Sequence, residues 1–183
     1  AFRQLSKNKV FSGINILGLS LGMTLAFLIA VFIKEELSYD TWMKDSENTY
    51  RVYRTKGNNT AWTPSPLAQK LMTDYPEVES ATGFATSENR LLTYNGKNSY
   101  VEKVASVDST FFKVIGMELL HGDQATAFDQ LNSMVVTDKL AKRIFGDENP
   151  IGQTVTYLGQ YEYLITGVID TENKKTHMQA DLF

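Results

Sequence analysis

The chain of 183 residues contains no cysteine, which removes disulfide and thiolate chemistry from consideration. A domain of about 140 residues buries enough apolar surface to fold without such staples. Histidine is almost as scarce. His121 and His177 stand 56 residues apart, and although Asp181 follows His177 by four, neither histidine belongs to a cluster with zinc-site spacing. No Gly-x-x-x-x-Gly-Lys phosphate loop occurs, so ATP is not bound in that way. A basic excess is missing too, since the formal net charge is −3, which argues against nucleic acid as a partner. The chain also lacks internal repeats and low-complexity segments.

What the chain does have is one long stretch without charge. Residues 10–33 are 24 consecutive uncharged side chains, VFSGINILGLSLGMTLAFLIAVFI. As a helix rising about 1.5 Å per residue they span about 36 Å, enough for a hydrocarbon core of about 30 Å. A secretory signal peptide has a shorter apolar core and a small-residue cleavage site, whereas this run continues into KEELSYD. A buried core helix of this length would be unusual in so short a chain. Arg3, Lys7 and Lys9 precede the run; Lys34, Glu35, Glu36 and Asp40 follow it. The positive-inside rule therefore keeps the N-terminus in the cytoplasm and puts everything after Ile33 outside. Tyr39 and Trp42 fall where an outer aromatic belt is expected. Beyond the helix lie 15 basic and 21 acidic side chains, so the outer part is mildly acidic. Ala1 in place of an initiator methionine, and the apolar ending HMQADLF, give the expectation of a piece of a longer protein.

The outer part reads as mixed α and β. Alternation over 48–55 (NTYRVYRT) predicts a strand. Thr63-Pro64-Ser65-Pro66 predicts a helix start, with Leu67, Leu71 and Tyr75 on one face and Pro76 as the stop. Residues 78–86 predict a second strand, making a β-α-β unit. A hairpin over 90–107 turns at Asn95-Gly96, a pair suited to the positive φ angles of a type I′ turn. Asp108 is expected to cap a short helix over 109–115, closed by Gly116. A strand over 134–136 leads through a Thr137 cap into a helix carrying Leu140, Ala141, Ile144 and Phe145, ended by Gly146. A second hairpin is expected over 153–169, with Gly159-Gln160 as its turn, and Lys174-Lys175 as a solvated loop.

Three patterns invite a chemical reading. Gly18-Leu19-Ser20-Leu21-Gly22 is a literal Gly-x-Ser-x-Gly, the nucleophile elbow of hydrolases. That motif needs a strained strand-to-helix turn, and Ser20 sits in the middle of an apolar helix with no histidine nearby. Gly18 and Gly22 fit better as a small-xxx-small face for close helix packing, with Asn15 one turn away as a hydrogen-bonding partner. Glu35-Glu36, Glu77 and Glu79, and Asp147-Glu148 are adjacent or alternating carboxylates that read as solvated faces or caps. Asn58-Asn59-Thr60 is a glycosylation sequon, meaningful only in a eukaryotic source. No catalytic, cofactor-binding or metal-binding constellation emerges; the site candidates are the packing residues Asn15, Gly18 and Gly22.

With these residues in hand the chain resembles FtsX-like permeases of ABC transporters, in the MacB-like group. The pattern NK-x-F-S-x-I-N-I-x-G-L-x-x-G is met by Asn8, Lys9, Phe11, Ser12, Ile14, Asn15, Ile16, Gly18, Leu19 and Gly22. E-L-S-Y-D is met by 36–40. SVDSTFFKVIGMELLHGD (106–123) is similar to a V-D-x-x-F-F…L-x-x-G-D signature, and LAKRIFGDENPIGQTV (140–155) to A-x-x-L-F-G-x-x-x-P-I-G-x-x-I. The resemblance implies an α+β fold: a cytoplasmic flank and transmembrane helix (1–40), then a periplasmic core domain (41–183). Within that domain it implies a first porter-like β-α-β unit (41–86), an inserted mixed α/β lobe (87–170) and the start of a truncated second porter-like unit (171–183). It implies a subunit of four membrane helices in the bacterial inner membrane, of which the first is present. Its partners would be an ABC ATPase subunit or domain, a second permease subunit, a periplasmic adaptor or substrate protein, and membrane lipid, with no cofactor and no turnover of its own. ATP-driven closure of the dimer would be passed along the long helices to the outer domain. The competing reading is a single-pass sensor with an extracytoplasmic ligand-binding domain.

Overall fold

The computed structural model describes residues 9–43, 45–57, 60–171 and 174–183. Arg3, Lys7, Asn58 and Asn59 therefore lie outside the described residues. The chain divides into two units, 1–41 and 42–183, each treated by itself.

The first unit is α1 (Lys9–Glu36), 28 residues with none buried. A helix apolar all round has no face to turn toward a soluble core; its solvent is lipid or another helix. It is long and apolar enough to cross a membrane. The hydroxyls that interrupt the apolar run are absorbed by the helix backbone: Ser20 donates to the Leu17 carbonyl at 3.0 Å and Thr24 to that of Ser20 at 2.8 Å.

The second unit opens with a short 3₁₀ turn (Ser46–Asn48), followed by α2 (Leu67–Asp74). The strand expected over 48–55 is not formed: among the described residues its one pairing is an isolated bridge between Arg54 and Thr60. The second expected strand does not begin at 78 but at Phe84. Alternation makes a strand only where a neighbour accepts its hydrogen bonds, and no described strand lies beside 48–55. Tyr50 is accordingly 81% exposed and Trp62 82%. Helix α2 starts at the expected place, yet its N-cap is Pro66 and no side chain caps it.

From Phe84 on, most local signals and the structure agree, the strand over 119–122 being the element not expected. Strands β1 (Phe84–Tyr94) and β2 (Lys97–Val107) pair antiparallel from Phe84↔Val107 to Tyr94↔Lys97. Asn95 and Gly96 both have positive φ, 47° and 74°, as a type I′ turn demands. Helix α3 (Phe111–Ile115) ends on Gly116 at φ 71°, and β3 (Leu119–Gly122) follows. Strand β4 (Ser133–Thr137) runs into α4 (Asp138–Phe145), where the Thr137 hydroxyl accepts the Leu140 N–H. Strands β5 (Thr154–Tyr157) and β6 (Tyr161–Ile169) complete the set, and the positive φ angles of their turn fall on Leu158 and Gly159.

The sheet runs β2-β1-β5-β6, with β4 parallel to β6 and β3 antiparallel to it. Residues 181–183 then close the circuit. Phe183 and Val135 exchange both backbone hydrogen bonds at 2.8 Å, and Asp181 accepts the Thr137 N–H at 3.0 Å. On the other side Leu182 accepts the Ala105 N–H at 2.7 Å, while Asp181 donates to Lys103 at 2.8 Å. The backbone pairing thus returns to β2, leaving β3 as a terminal strand beside β6.

Successive residues on these strands feed two apolar clusters, one on each side of the sheet. Val104, Val136, Val168 and Leu182 join Leu92, Val155 and Ile165 under α4. Their chain neighbours Ala105, Val135, Ile169 and Phe183 join Phe111 and Phe112 under α3. Trp42 packs against this second cluster; its indole N–H donates to the Lys175 carbonyl at 3.0 Å, and the Lys174 ammonium lies 5.1 Å from its ring centre. Trp42 is therefore engaged by the outer domain instead of standing free as a belt residue, and Lys174-Lys175 is not a free solvated loop.

Candidate functional site

Asn15, Gly18 and Gly22 lie on α1, and no atom comes within 4 Å of a Cβ built on either glycine. The helix surface at these positions is open, so the structure leaves the packing face available without putting a partner on it. Ser20 has its hydroxyl directed at its own helix backbone. It occupies no strand-to-helix turn, which removes the geometry a nucleophile elbow needs. His121 sits exposed on β3, and His177 is exposed in the segment leading to 181–183. Among the described residues no group of three or more His, Asp or Glu side chains could hold a metal ion.

The best-satisfied carboxylate is Asp108. It accepts hydrogen bonds from the Thr82 hydroxyl and the Thr110 hydroxyl at 2.6 Å, from Gly83 N–H at 2.8 Å and from Thr110 N–H at 3.2 Å. Burial works to raise its pKa, but the hydrogen bonds from Thr110, Thr82 and Gly83 outweigh it and hold the carboxyl below its ordinary value. The expected cap is not formed, since the N-cap of α3 is Thr110 and no side chain caps it; Asp108 instead ties 82–83 to Thr110 at the start of the helix. Tyr94 packs edge-on against Phe145, ring centres 4.6 Å apart, and donates to Glu148 at 3.1 Å. Partial burial first, then the Glu148 carboxylate, raise its phenol above the ordinary value. Asp147-Glu148 is thus partly engaged through Glu148. Neither group is placed beside a reacting partner; both are structural.

A surface that sequence reasoning missed surrounds Gly122. On one side a recess of about 650 Å³ lies between β3 and the 147–151 turn; on the other one of about 400 Å³ reaches β6 beneath the 123–133 loop. Gly122, at φ 98°, has the Thr166 carbonyl against the position its Cβ would take. Gly122-Asp123 at the end of the 106–123 signature, and Asp147-Glu148 with Pro150-Ile151-Gly152 in the 140–155 signature, were the sequence signals that fall here.

Among the described residues, one helix long and apolar enough to cross a membrane precedes an α+β domain, and that combination defines the class. The model of the MacB-like periplasmic core domain matches residues 12–183, helix and outer domain together. The chain belongs to that family, the MacB/FtsX-like permease group that its motifs resemble. It is 31% identical over 90 residues to the macrolide export ATP-binding/permease protein MacB of Aggregatibacter actinomycetemcomitans, a match covering 48% of this chain and 14% of that protein. Among solved structures, a domain of a putative permease protein from Porphyromonas gingivalis superposes with a TM-score of 0.59 at 19% identity, over 71% of this chain and 57% of that one. The periplasmic region of MacB from Actinobacillus actinomycetemcomitans gives 0.50 at 19% identity, over 62% and 53%. Those two likenesses carry the fold.

Proposed function

We propose that the chain is part of an ABC transporter permease that carries the motion of a partner ATPase to its periplasmic domain, for export or extraction of a substrate. The observation carrying this reading is the family match over 12–183, which unites the helix and the outer domain in one unit. The curated relative is itself an ATP-binding/permease protein. On this reading the N-terminus is cytoplasmic and the outer part periplasmic, and the permease works as a dimer. ATP hydrolysis belongs to a separate subunit or domain. The substrate is delivered at the outer domain instead of threading the membrane, and a periplasmic adaptor or substrate protein meets it there.

The domain division follows the same reading. Residues 41–86 form the first porter-like unit, 87–170 the inserted lobe, and 171–183 the way back toward a second porter-like unit. Exposed Tyr50 and Trp62, in the stretch before α2, support it, because large exposed aromatic residues suit a unit that packs against further chain. The test uses the full protein purified from its membrane. An ABC ATPase, bound or fused, is expected with it, and Ser20→Ala should leave its ATPase activity unchanged. Absence of any ATPase would overturn the reading, and loss of activity in the serine variant at normal expression would restore the hydrolase alternative.

A further inference from the structure

Among the described residues, strand β3 (Leu119–Gly122) pairs with β6 alone and ends the sheet. Natural edge strands are usually blunted, and β3 is so by its four-residue length and its register shift, while Leu-Leu-His-Gly carries no lysine, proline or acidic side chain. The pairing with β6 shifts between Leu119 and His121, so Leu120 opposes no residue, and its side chain is 49% exposed. The two recesses share Gly122 and Ile151, so they adjoin at the end of this strand as a groove in two parts. Asp123, Asp129, Asp147 and Glu148 line it, and no lysine or arginine does. Ser133 also lines it, and its buried hydroxyl oxygen has no hydrogen-bond partner.

We propose that this groove binds an extended, lysine- or arginine-rich segment of a partner protein, which adds as a strand to the free edge of β3. Strand addition draws its affinity from main-chain hydrogen bonds and its selectivity from alternate side chains. The unpaired edge of β3 supplies the main-chain groups. Leu120 and Ile151 offer an apolar footing for one set of side chains, and the four carboxylates select positive charge for the other. The surface does not depend on ATP coupling, so it stands or falls separately from the transport reading.

The test titrates a short fluorescent peptide alternating lysine with valine into the full chain in detergent, followed by anisotropy. Saturable binding is expected, together with its loss when alternate peptide nitrogens are methylated and cannot donate to the strand edge. Asp129→Lys with Asp147→Lys should weaken binding about tenfold. Glu88→Lys with Glu102→Lys, the same charge change outside the groove, should leave it unaltered. Absence of saturable binding, equal binding of the methylated peptide, or equal loss in both double variants would each overturn the proposal. The methylated arm uses the parent protein, so misfolding of a variant cannot account for its result.

Discussion

A Cβ on Gly122 would collide with the carbonyl oxygen of Thr166, the residue at which the parallel pairing of β4 with β6 shifts register. Thr166 is held in place by its own hydroxyl, which lies 2.7 Å from the Ala127 carbonyl, so the backbone there is not free to retreat. Gly122→Ala adds this clash to the strain of a non-glycine residue at φ 98°. It should destabilise the outer domain by about 3 kcal/mol. Denaturant unfolding monitored by tryptophan fluorescence checks this, and an unchanged midpoint would mean that the strand can shift to make room.

Asp108 gives the outer domain an acid-sensitive tie. Its folded-state pKa lies below the unfolded value of about 3.9, so the unfolded chain takes up the proton first as pH falls. Its stabilisation is full above the unfolded value and is lost as pH drops through the folded one. Asp108→Asn should therefore unfold more easily than the parent near neutral pH, with the gap closing below about pH 4. A gap of constant size across that range would place the effect in shape and not in charge.

Gly18 and Gly22 stack four residues apart on α1 and leave a shallow channel for a neighbouring backbone. Gly18→Leu and Gly22→Leu should insert normally but impair subunit assembly or ATP-coupled motion, since leucine fills the channel while hydropathy barely changes. Ser12→Leu, nearer the membrane edge, should do less. Detergent-resistant dimer at matched expression is the readout. Parent-like assembly in both glycine variants would move the contact face elsewhere.

Much of this fold was legible because its signals are local. Asn95-Gly96, Gly116, Thr137 and Gly146 each mark an element boundary through the backbone angles or side-chain bond that the boundary needs. What escaped is non-local. Nothing in 48–55 announces that it lacks a neighbouring strand, and nothing in ADLF announces that Leu182 bridges both Val104 and Val136. Trp42 reads as a membrane-belt residue until its indole is seen on the Lys175 carbonyl. The groove at β3 is assembled from 120–133, 147–152 and 164–166, so the sequence showed its parts, in the ends of two signatures, but not their meeting. The long helix was the reverse case: length and composition sufficed, because a helix apolar all round is specified by one contiguous segment.

The absence of native cysteine makes the orientation directly measurable. Lys97→Cys, exposed at the end of the β1–β2 turn, should react with an impermeant maleimide added to cells whose outer membrane has been permeabilised. Ser6→Cys should react only after the inner membrane is opened. Labelling of Ser6→Cys alone in sealed cells would invert the topology.

The central claim is that ATP-driven motion reaches the outer domain, and one distance tests it most directly. A spin label at Lys97→Cys on each permease of the reconstituted dimer reports the separation between outer domains by pulsed electron resonance. The distance distribution should shift when ATP is trapped in the ATPase and return after hydrolysis and release. An unchanged distribution, with hydrolysis running at the parent rate, would contradict the account.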